Sequence, residues 1–397
     1  MSSSTCKGVT EDILRCIFED IVDEARVSSS VLSLMCVCKE WRALAEPLLY
    51  RYLHFNSISS LSTCYQGLIW KSIRREFPGN MARSFTLSRA WAKDLTVGFD
   101  RILHYTPNLT VFEAPKTRLG CHTLEMLAQV AGPSLRKLDV LLGGVGKHAA
   151  LQIALLGRFS ALESLFVEVS GLDDLSALSE PDAPGFDLPF LDELFLRGFT
   201  KEPLSAFFQF LSIGRFPVLD TLILDLPLLG LAPAGSTPAA SLIPLLKNVG
   251  SNLSVFTLHS PEAHDAAGLL FPLMTQVSSL RIPLGKLPQD VVKFLPPTVE
   301  MLLLGMDLDR EEGLRTVMSC LDQLSSKELQ DHSLTSINLK SPDVSALFHW
   351  STIGARNAAL AGRLMTYSLQ LAAKGIRLQD DSGMWVKQME GFQDVDR

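Results

Sequence analysis

A short apolar pattern recurs along most of this chain and limits the folds that it can adopt. In each copy, two residues separate the first apolar residue from the second, and one residue separates the second from the third. Eleven copies begin between residues 50 and 334, at steps of 22 to 35 residues. The last two apolar positions alternate as they do in a short strand with one buried face. The copies begin at Tyr50, Ala82, Leu109, Leu135, Leu162, Leu191, Leu219, Leu253, Val277, Val299 and Leu334.

Stretches with helical patterns separate the copies, for example residues 122–130 and 204–213. Each unit therefore contains a strand and a helix, and stacked units bury their leucines in one continuous core. Most steps lie in or near the 20–29-residue window of leucine-rich repeats. The chain resembles the irregular members of that class, although the asparagine of strict repeats is mostly missing. The resemblance implies an α/β solenoid with a curved parallel sheet. The alternative is an ordinary α/β domain with unrelated short strands, which the recurring period disfavours.

The longer steps and the C-terminal residues predict the remaining features of the repeat region. Pro, Gly and Ser residues predict loops at residues 180–185 and 226–240. Insertions in solenoids often collect on the binding face. Residues 351–374 form an amphipathic helical pattern, with Gly375 suited to its C-cap. A last strand is expected at residues 376–378, followed by a turn.

The first 52 residues carry more apolar surface than a unit of their size can bury. Two successive runs, at residues 13–22 and 34–48, place apolar residues at helical spacing. A piece of about 45 residues is near the lower limit for burying its own core. The surplus apolar face is therefore expected to contact a partner, in this chain or in another.

These residues resemble an F-box, especially the version found in fungi. The resemblance rests on Thr10-Glu11-Asp12-Ile13-Leu14-x-x-Ile17-Phe18 and on the segment from Leu34 through Val37-Cys38-x-x-Trp41-Arg42 to Pro47-Leu48-Leu49-Tyr50. One departure is that the usual opening Leu-Pro is Val9-Thr10 here. The family implies a three-helix domain that docks on a Skp adaptor in a cullin–RING ubiquitin ligase. The alternative is a helical cap that only seals the domain after it.

The predicted domains are a disordered segment at residues 1–8, an F-box at 9–52, a leucine-rich-repeat-like solenoid at 53–389 and a frayed tail at 390–397. Phe18 and Trp41 are the expected anchors of adaptor docking, since large aromatic residues tend to dominate interface energies. The residues predicted to dock are Ile13, Leu14, Ile17, Phe18, Leu34, Val37, Cys38, Trp41 and Leu44.

A second surface is predicted on the strands, at positions that point away from the core. Phe195 and Ile223 are apolar where a solvated strand would be polar, and Arg197 and Asp225 lie beside them. This pattern indicates an exposed apolar patch that binds a substrate protein. An equally good interpretation is that the loop at residues 226–240 covers the patch.

Composition excludes several classes of function. The net charge of −7 argues against a general nucleic-acid binder. The basic run from Lys71 to Lys93 is an exception, for which a solvated face is favoured over a patch for an acidic ligand. The chain lacks a secretory signal pattern and any apolar run of about 18 residues, so no membrane association is expected. Seven cysteines without framework spacing suit a reducing, cytoplasmic or nuclear location.

No motif predicts an enzyme, a cofactor or a metal. The run from Gly143 to His148 fails as a phosphate loop, because Leu141 replaces the first glycine and His148 replaces Ser or Thr. His259 and His264 match no standard ligand spacing, and no RING-like Cys/His series exists. The predicted function is a substrate-recognition subunit of an SCF-type ligase. A leucine-rich interaction scaffold outside ubiquitin transfer is the alternative.

Overall fold

The structure is a computed structural model that describes residues 11–25, 28–88, 96–145, 147–173, 187–198, 204–225, 242–259, 263–284, 291–306, 308, 311–326, 332–341 and 347–386. Several sequence predictions concern other residues and lie outside this set. They are the N-terminal segment 1–8, the loops at 180–185 and 226–240, and the tail at 390–397.

Twelve strands in the described residues form one sheet, in which they lie in chain order from β1 to β12. Each observed pairing of neighbouring strands is parallel. The prediction of an α/β fold with a parallel sheet of strand–helix units is therefore confirmed. The strands are β1 (Tyr52–Phe55), β2 (Ser84–Leu87), β3 (Val111–Arg118), β4 (Lys137–Val145), β5 (Ser164–Asp173), β6 (Glu193–Arg197), β7 (Thr221–Asp225), β8 (Val255–His259), β9 (Ser279–Leu284), β10 (Met301–Gly305), β11 (Ser336–Lys340) and β12 (Arg377–Gln379).

Helices precede β1 and lie between most successive strands. They are α1 (Glu11–Ala25), α2 (Ser28–Met35), α3 (Lys39–Ala45), α4 (Ile58–Ile73), α5 (Thr96–Leu103), α6 (Cys121–Ala131), α7 (Lys147–Leu156), α8 (Leu204–Ser212), α9 (Ile243–Val249), α10 (Ala263–Leu270), α11 (Val291–Phe294), α12 (Glu311–Ser326), α13 (Trp350–Arg356) and α14 (Ala358–Ala372). A 3-10 helix, Glu46–Tyr50, follows α3 and has Pro47 in its first turn. We call residues 11–50 the helical module.

The single helix predicted for residues 351–374 is wrong, because the structure divides it into α13 and α14. Asn357 lies between them with an extended backbone (φ −153°, ψ 91°). Its side-chain oxygen accepts a hydrogen bond from the Leu360 amide at 3.0 Å, which caps the start of α14. Asparagine competes with helix continuation in this way because its short side chain satisfies free amides at a helix start.

The chain divides into two compact units. One contains Met1–Gly143 and Leu151–Glu168, and the other contains Gly144–Ala150 and Val169–Arg397. In the first unit, Leu53, Phe85, Phe112 and Leu138 pair in register across β1 to β4, and all four are buried. The rings of Phe85 and Phe112 stack with centroids 5.5 Å apart.

The second unit repeats the same register over seven strands. From β6 to β11, each middle residue of the apolar pattern pairs with the middle residue of the next strand, and Ile337 on β11 pairs with Leu378 on β12; all are almost completely buried. The parallel strands thus align the repeats one behind another and form a continuous apolar core. The aligned residues are Leu194, Leu222, Phe256, Leu280, Leu302, Ile337 and Leu378.

A backbone ladder joins the repeats just before the strands. The amides of Asp220 and Thr221 both donate to the Asp192 carbonyl, at 3.0 and 2.9 Å. The amides of Ser254 and Val255 donate in the same way to the Asp220 carbonyl. Equivalent pairs precede β2, β3, β4, β5, β9, β10 and β11. Because these bonds use only backbone atoms, neighbouring repeats are joined here without the asparagine of strict leucine-rich repeats.

The last repeat ends in a buried carboxylate that organises the turn after β12. Asp380 Oδ1 accepts hydrogen bonds from the amides of Ser382 and Met384, both at 3.0 Å, and from Ser382 Oγ at 2.6 Å. Its Oδ2 accepts from the Trp350 amide at 3.1 Å. Asp380 therefore ties the turn to the start of α13 and satisfies several backbone donors at once.

We expect Leu280→Ala to lower the free energy of unfolding by about 2–5 kcal/mol, because it leaves a cavity in the aligned core. Arg281→Ala on the same strand is the matched control, since its side chain points to the opposite face; the expected change is within about 0.5 kcal/mol. Urea unfolding followed by circular dichroism measures both. Equal losses in the two variants would contradict the assignment of strand faces.

We expect Asp380→Asn to lower the free energy of unfolding by about 1–3 kcal/mol, because an amide NH₂ replaces one acceptor among buried N–H donors. Asp322→Asn, at an exposed position on α12, is the control and should change stability by less than about 0.5 kcal/mol. Thermal unfolding of the two variants checks this. A stability of Asp380→Asn equal to that of the wild type would rule out the proposed role of the carboxylate.

Candidate functional site

The helical module has a small core of its own. Phe18 and Val22 from α1 pack with Val31 from α2, Ala45 from α3 and Leu48 from the following 3-10 helix. Trp41 packs edge-on against Phe18, with ring centroids 4.7 Å apart. This core holds the three helices together, and it uses only part of the apolar surface of the module.

Helix α1 carries two apolar stripes that point in different directions. Leu14, Phe18 and Val22 recur every four residues and face the core of the module. Ile13, Ile17 and Ile21 recur at the same spacing and are 50%, 44% and 39% exposed. We call these three isoleucines the isoleucine stripe. A stripe of large apolar side chains exposed over two helical turns is typical of a surface that binds a partner.

The structure separates the nine residues predicted for docking into exposed and packed sets. Ile13, Ile17, Val37 and Cys38 are exposed, and Val37 reaches 60%. Phe18 is only 1% exposed and lies in the core of the module, so it is not available as an anchor in this conformation. Those that pack partly buried against the core are Leu14, Leu34, Trp41 and Leu44.

Two exposed large apolar residues of the module were not among the nine predicted for docking. Ile21 continues the isoleucine stripe, and Leu32 on α2 is also exposed. Ile21 was visible in the helical pattern, but the pattern alone did not divide the wide apolar face into its inner and outer halves.

An ion-pair cluster attaches α1 to the first strand. Arg51 donates from Nε and Nη2 to the two oxygens of Asp23, at 2.5 and 2.6 Å, and from Nη1 to Glu19 at 3.3 Å. Burial disfavours the charged form of Arg51, but the Asp23 hydrogen bonds and both carboxylates outweigh it and raise the pKa of the guanidinium. The Tyr52 hydroxyl also donates to Asp23 at 2.8 Å. The module is thus fixed to β1 by charge-assisted hydrogen bonds as well as by packing.

The predicted substrate residues form a two-by-two block on β6 and β7. Phe195 pairs with Ile223, and Arg197 pairs with Asp225. Arg197 Nε and Asp225 Oδ2 form an ion pair of 3.1 Å. The block therefore combines an apolar pair with an ion pair on the face of the sheet opposite the buried leucines. The loop that was considered as its cover lies outside the described residues.

His259 on β8 extends this face beside the ion pair. It pairs in register with Asp225. Burial lowers the pKa of His259, the carboxylate of Asp225 opposes this change and the guanidinium of Arg197 adds to it. The imidazole therefore favours its neutral form at neutral pH.

The glycines at the end of β4 have a structural partner. The amide of Gly143 donates to the side-chain oxygen of the buried Gln152 at 3.2 Å. The Gln152 amide donates in turn to the Leu119 carbonyl at 2.9 Å. This amide hydrogen of Gly143 is therefore used inside the protein, whereas a phosphate loop directs such groups at its ligand.

The cysteines of the described residues are free thiols. Burial raises the pKa of Cys64 to about 11 and that of Cys320 to about 12. These two side chains are protonated at neutral pH and behave as small apolar groups. Cys38 accepts a hydrogen bond from the Trp41 amide at 3.4 Å and so caps α3.

Comparison with known proteins provides no relative: no family model and no curated protein matches this chain. Within the described ranges, no group of three or more His, Cys, Asp or Glu residues is placed to hold a metal ion. Among the same residues, no helix has both the length and the apolar composition of a membrane span. The class defined by the fold is a parallel α/β repeat protein with an N-terminal helical module.

We expect Phe18→Ala to destabilise the helical module by about 3–5 kcal/mol, because the ring fills its core against Trp41. Ile17→Ala, one residue earlier on the isoleucine stripe, should change stability by less than about 0.5 kcal/mol. Hydrogen exchange of α1 and α3 amides in the full chain measures both effects. Equal protection in the two variants would contradict the division of α1 into an inner and an outer stripe.

Proposed function

We propose that this chain is the substrate-recognition subunit of an SCF-type cullin–RING ubiquitin ligase. In this proposal the helical module is an F-box that docks on a Skp adaptor, and the strand–helix repeats are a leucine-rich-repeat solenoid that binds a substrate protein. The observation that carries the proposal is the isoleucine stripe. It leaves three large apolar side chains exposed on a helix whose adjacent stripe already packs in the core of the module.

The chemistry of the stripe favours a protein partner. Apolar side chains on one helix face bind by burying their surface in a complementary apolar groove or against apolar helices. The three isoleucines are 39–50% exposed, so a partner that covers them would bury the remaining apolar surface and gain binding free energy from it. Val37, at the turn before α3, adds a further exposed apolar side chain in the segment that carries the family resemblance.

Rigid attachment of the module to the repeats suits an adaptor. The core of the module also contacts Tyr52 on β1 and Met81 just before β2, and Arg51 adds the ion pairs with Asp23 and Glu19. A subunit of this kind acts by holding the lysines of a bound substrate near a conjugating enzyme recruited elsewhere in the ligase, which raises their effective concentration. A fixed connection keeps the distance between the substrate lysines and the conjugating enzyme more constant than a flexible linker does.

We expect Ile17→Asp to weaken binding of a purified Skp adaptor by about 30-fold or more, because it places a charge at the centre of the isoleucine stripe. The control is Leu369→Asp on α14, which makes the same chemical change at an exposed leucine outside the module. Isothermal titration calorimetry with the full chain measures both affinities, and circular dichroism verifies folding.

The same titration separates the proposal from its alternative. A wild-type chain that does not bind the adaptor would support a repeat scaffold outside ubiquitin transfer, with the module as a cap. Normal binding by a folded Ile17→Asp variant would show that the adaptor contacts another surface. Equal weakening by Leu369→Asp would indicate non-specific apolar association.

A further inference from the structure

A cavity of about 370 Å³ lies on the open strand face of the first compact unit, outside the helical module. Its wall consists of outward side chains from β1 to β4 and of residues directly before these strands. The charged and titratable members are His54, Arg83, Glu113 and Lys137. The cavity is distinct from the block of Phe195, Arg197, Ile223 and Asp225, which belongs to the other unit.

Arg83 differs from the two other arginines at its position in the repeat. Arg51, Arg83 and Arg136 each stand directly before a strand, at the carbonyl that accepts two amides from the next repeat. Arg51 pairs with Asp23 and Glu19, and Arg136 pairs with Glu163 at 3.0 Å.

The side chain of Arg83 makes only one hydrogen bond in the described part of the chain. It runs from Nη1 to the backbone carbonyl of Asn108 at 3.2 Å. No carboxylate among the described residues pairs with this guanidinium. Arg83 is an exposed residue, and four of its five N–H groups, including Nε–H and both hydrogens of Nη2, have no partner among the described residues.

The other charges of the cavity are already balanced. Lys137 Nζ lies 2.7 Å from Glu113 Oε1 and 5.3 Å from the centre of the Phe166 ring. Thr86 donates its hydroxyl hydrogen to Glu113 at 3.2 Å. Arg83 is therefore the uncompensated charge of the cavity, and its sign is opposite to the net charge of −7 of the whole chain.

We propose that this cavity binds the carboxylate of an acidic side chain in an extended segment of a partner protein. The Nε–H and Nη2–H groups of Arg83 can donate two parallel hydrogen bonds to the two oxygens of a carboxylate. The volume of about 370 Å³ is large enough to admit a glutamate side chain. If the proposed function holds, this partner is the substrate; the binding itself does not depend on the Skp adaptor.

The basic sequence run from Lys71 to Lys93 separates into different roles on this basis. Lys71 is held by Glu46 at 2.7 Å and by Glu76 at 3.2 Å, which raises the pKa of its ammonium group through these hydrogen bonds. Among the basic residues of the run that the structure describes, only Arg83 lines the cavity. The acidic-ligand interpretation of the run therefore applies to Arg83. The other residues that line the cavity with it come from several repeats.

The test measures binding of a fluorescent peptide with four glutamates separated by glycines to the full chain, by fluorescence polarisation without adaptor. The wild type should bind it, and Arg83→Gln should weaken binding by about tenfold or more, because a charge-assisted bidentate contact is lost. Arg136→Gln is the matched control at the equivalent repeat position, outside the cavity, and should stay within about twofold of the wild type. Arg83→Lys should recover only part of the affinity, because it restores charge without the fork.

Four results would overturn the proposal. They are no binding of the glutamate peptide, equal binding of a peptide with glutamine in place of glutamate, equal loss in Arg136→Gln, and binding only of a phosphoserine version. Ile17→Asp should bind the glutamate peptide as the wild type does, because the isoleucine stripe is a separate surface. The adaptor titration therefore tests the docking proposal, and the peptide assay tests the cavity proposal separately.

Discussion

The in-register stacking of buried apolar residues across parallel strands is the constraint on which the rest of the structure depends. Each repeat offers one apolar face that it cannot bury alone, and the next repeat covers it. The backbone ladder before the strands reinforces this alignment without any particular side chain. As a result, residues one repeat apart occupy equivalent positions, and differences between them become differences in surface chemistry.

The helical module differs from the repeats because it is small and has more apolar surface than its core can bury. Its core needs only the inner stripe of α1, with Val31, Ala45 and Leu48 from the other elements. The isoleucine stripe is the surplus that remains after this core is complete. The buried stripe of α1 therefore supports stability, and the exposed stripe is the surface that we propose for docking. The two stripes are one residue apart in the sequence, as Ile17 and Phe18 are.

Most of the arginines discussed above on or beside the strands are paired with carboxylates. Arg51, Arg136 and Arg197 each have a carboxylate from a neighbouring element or strand. Such pairs neutralise the face locally and contribute little to stability where they are exposed. Arg83 departs from this arrangement, and the departure is visible only by comparing equivalent positions along the repeat. Residues at the same position in other repeats thus show which pairing is usual and which residue departs from it.

The sequence alone indicated where the strands lie and which of their residues face the core, because a period of two within strands and a recurring period between them are local properties of the chain. The parallel arrangement was what the resemblance to leucine-rich repeats implied. The sequence also indicated the surplus apolar surface of residues 9–52. The tertiary structure decided which half of that surface is buried, and it placed the expected anchor Phe18 inside the core. It also divided the C-terminal helix at Asn357 and distinguished Arg83 from Arg51. The burial of Phe18 and the different pairing of Arg51 and Arg83 depend on contacts between residues far apart in the chain, such as Arg51 with Asp23, and no local pattern records which distant group will be near. The division at Asn357 rests on a local cap of Leu360, but the helical pattern alone did not show that this cap would interrupt the helix.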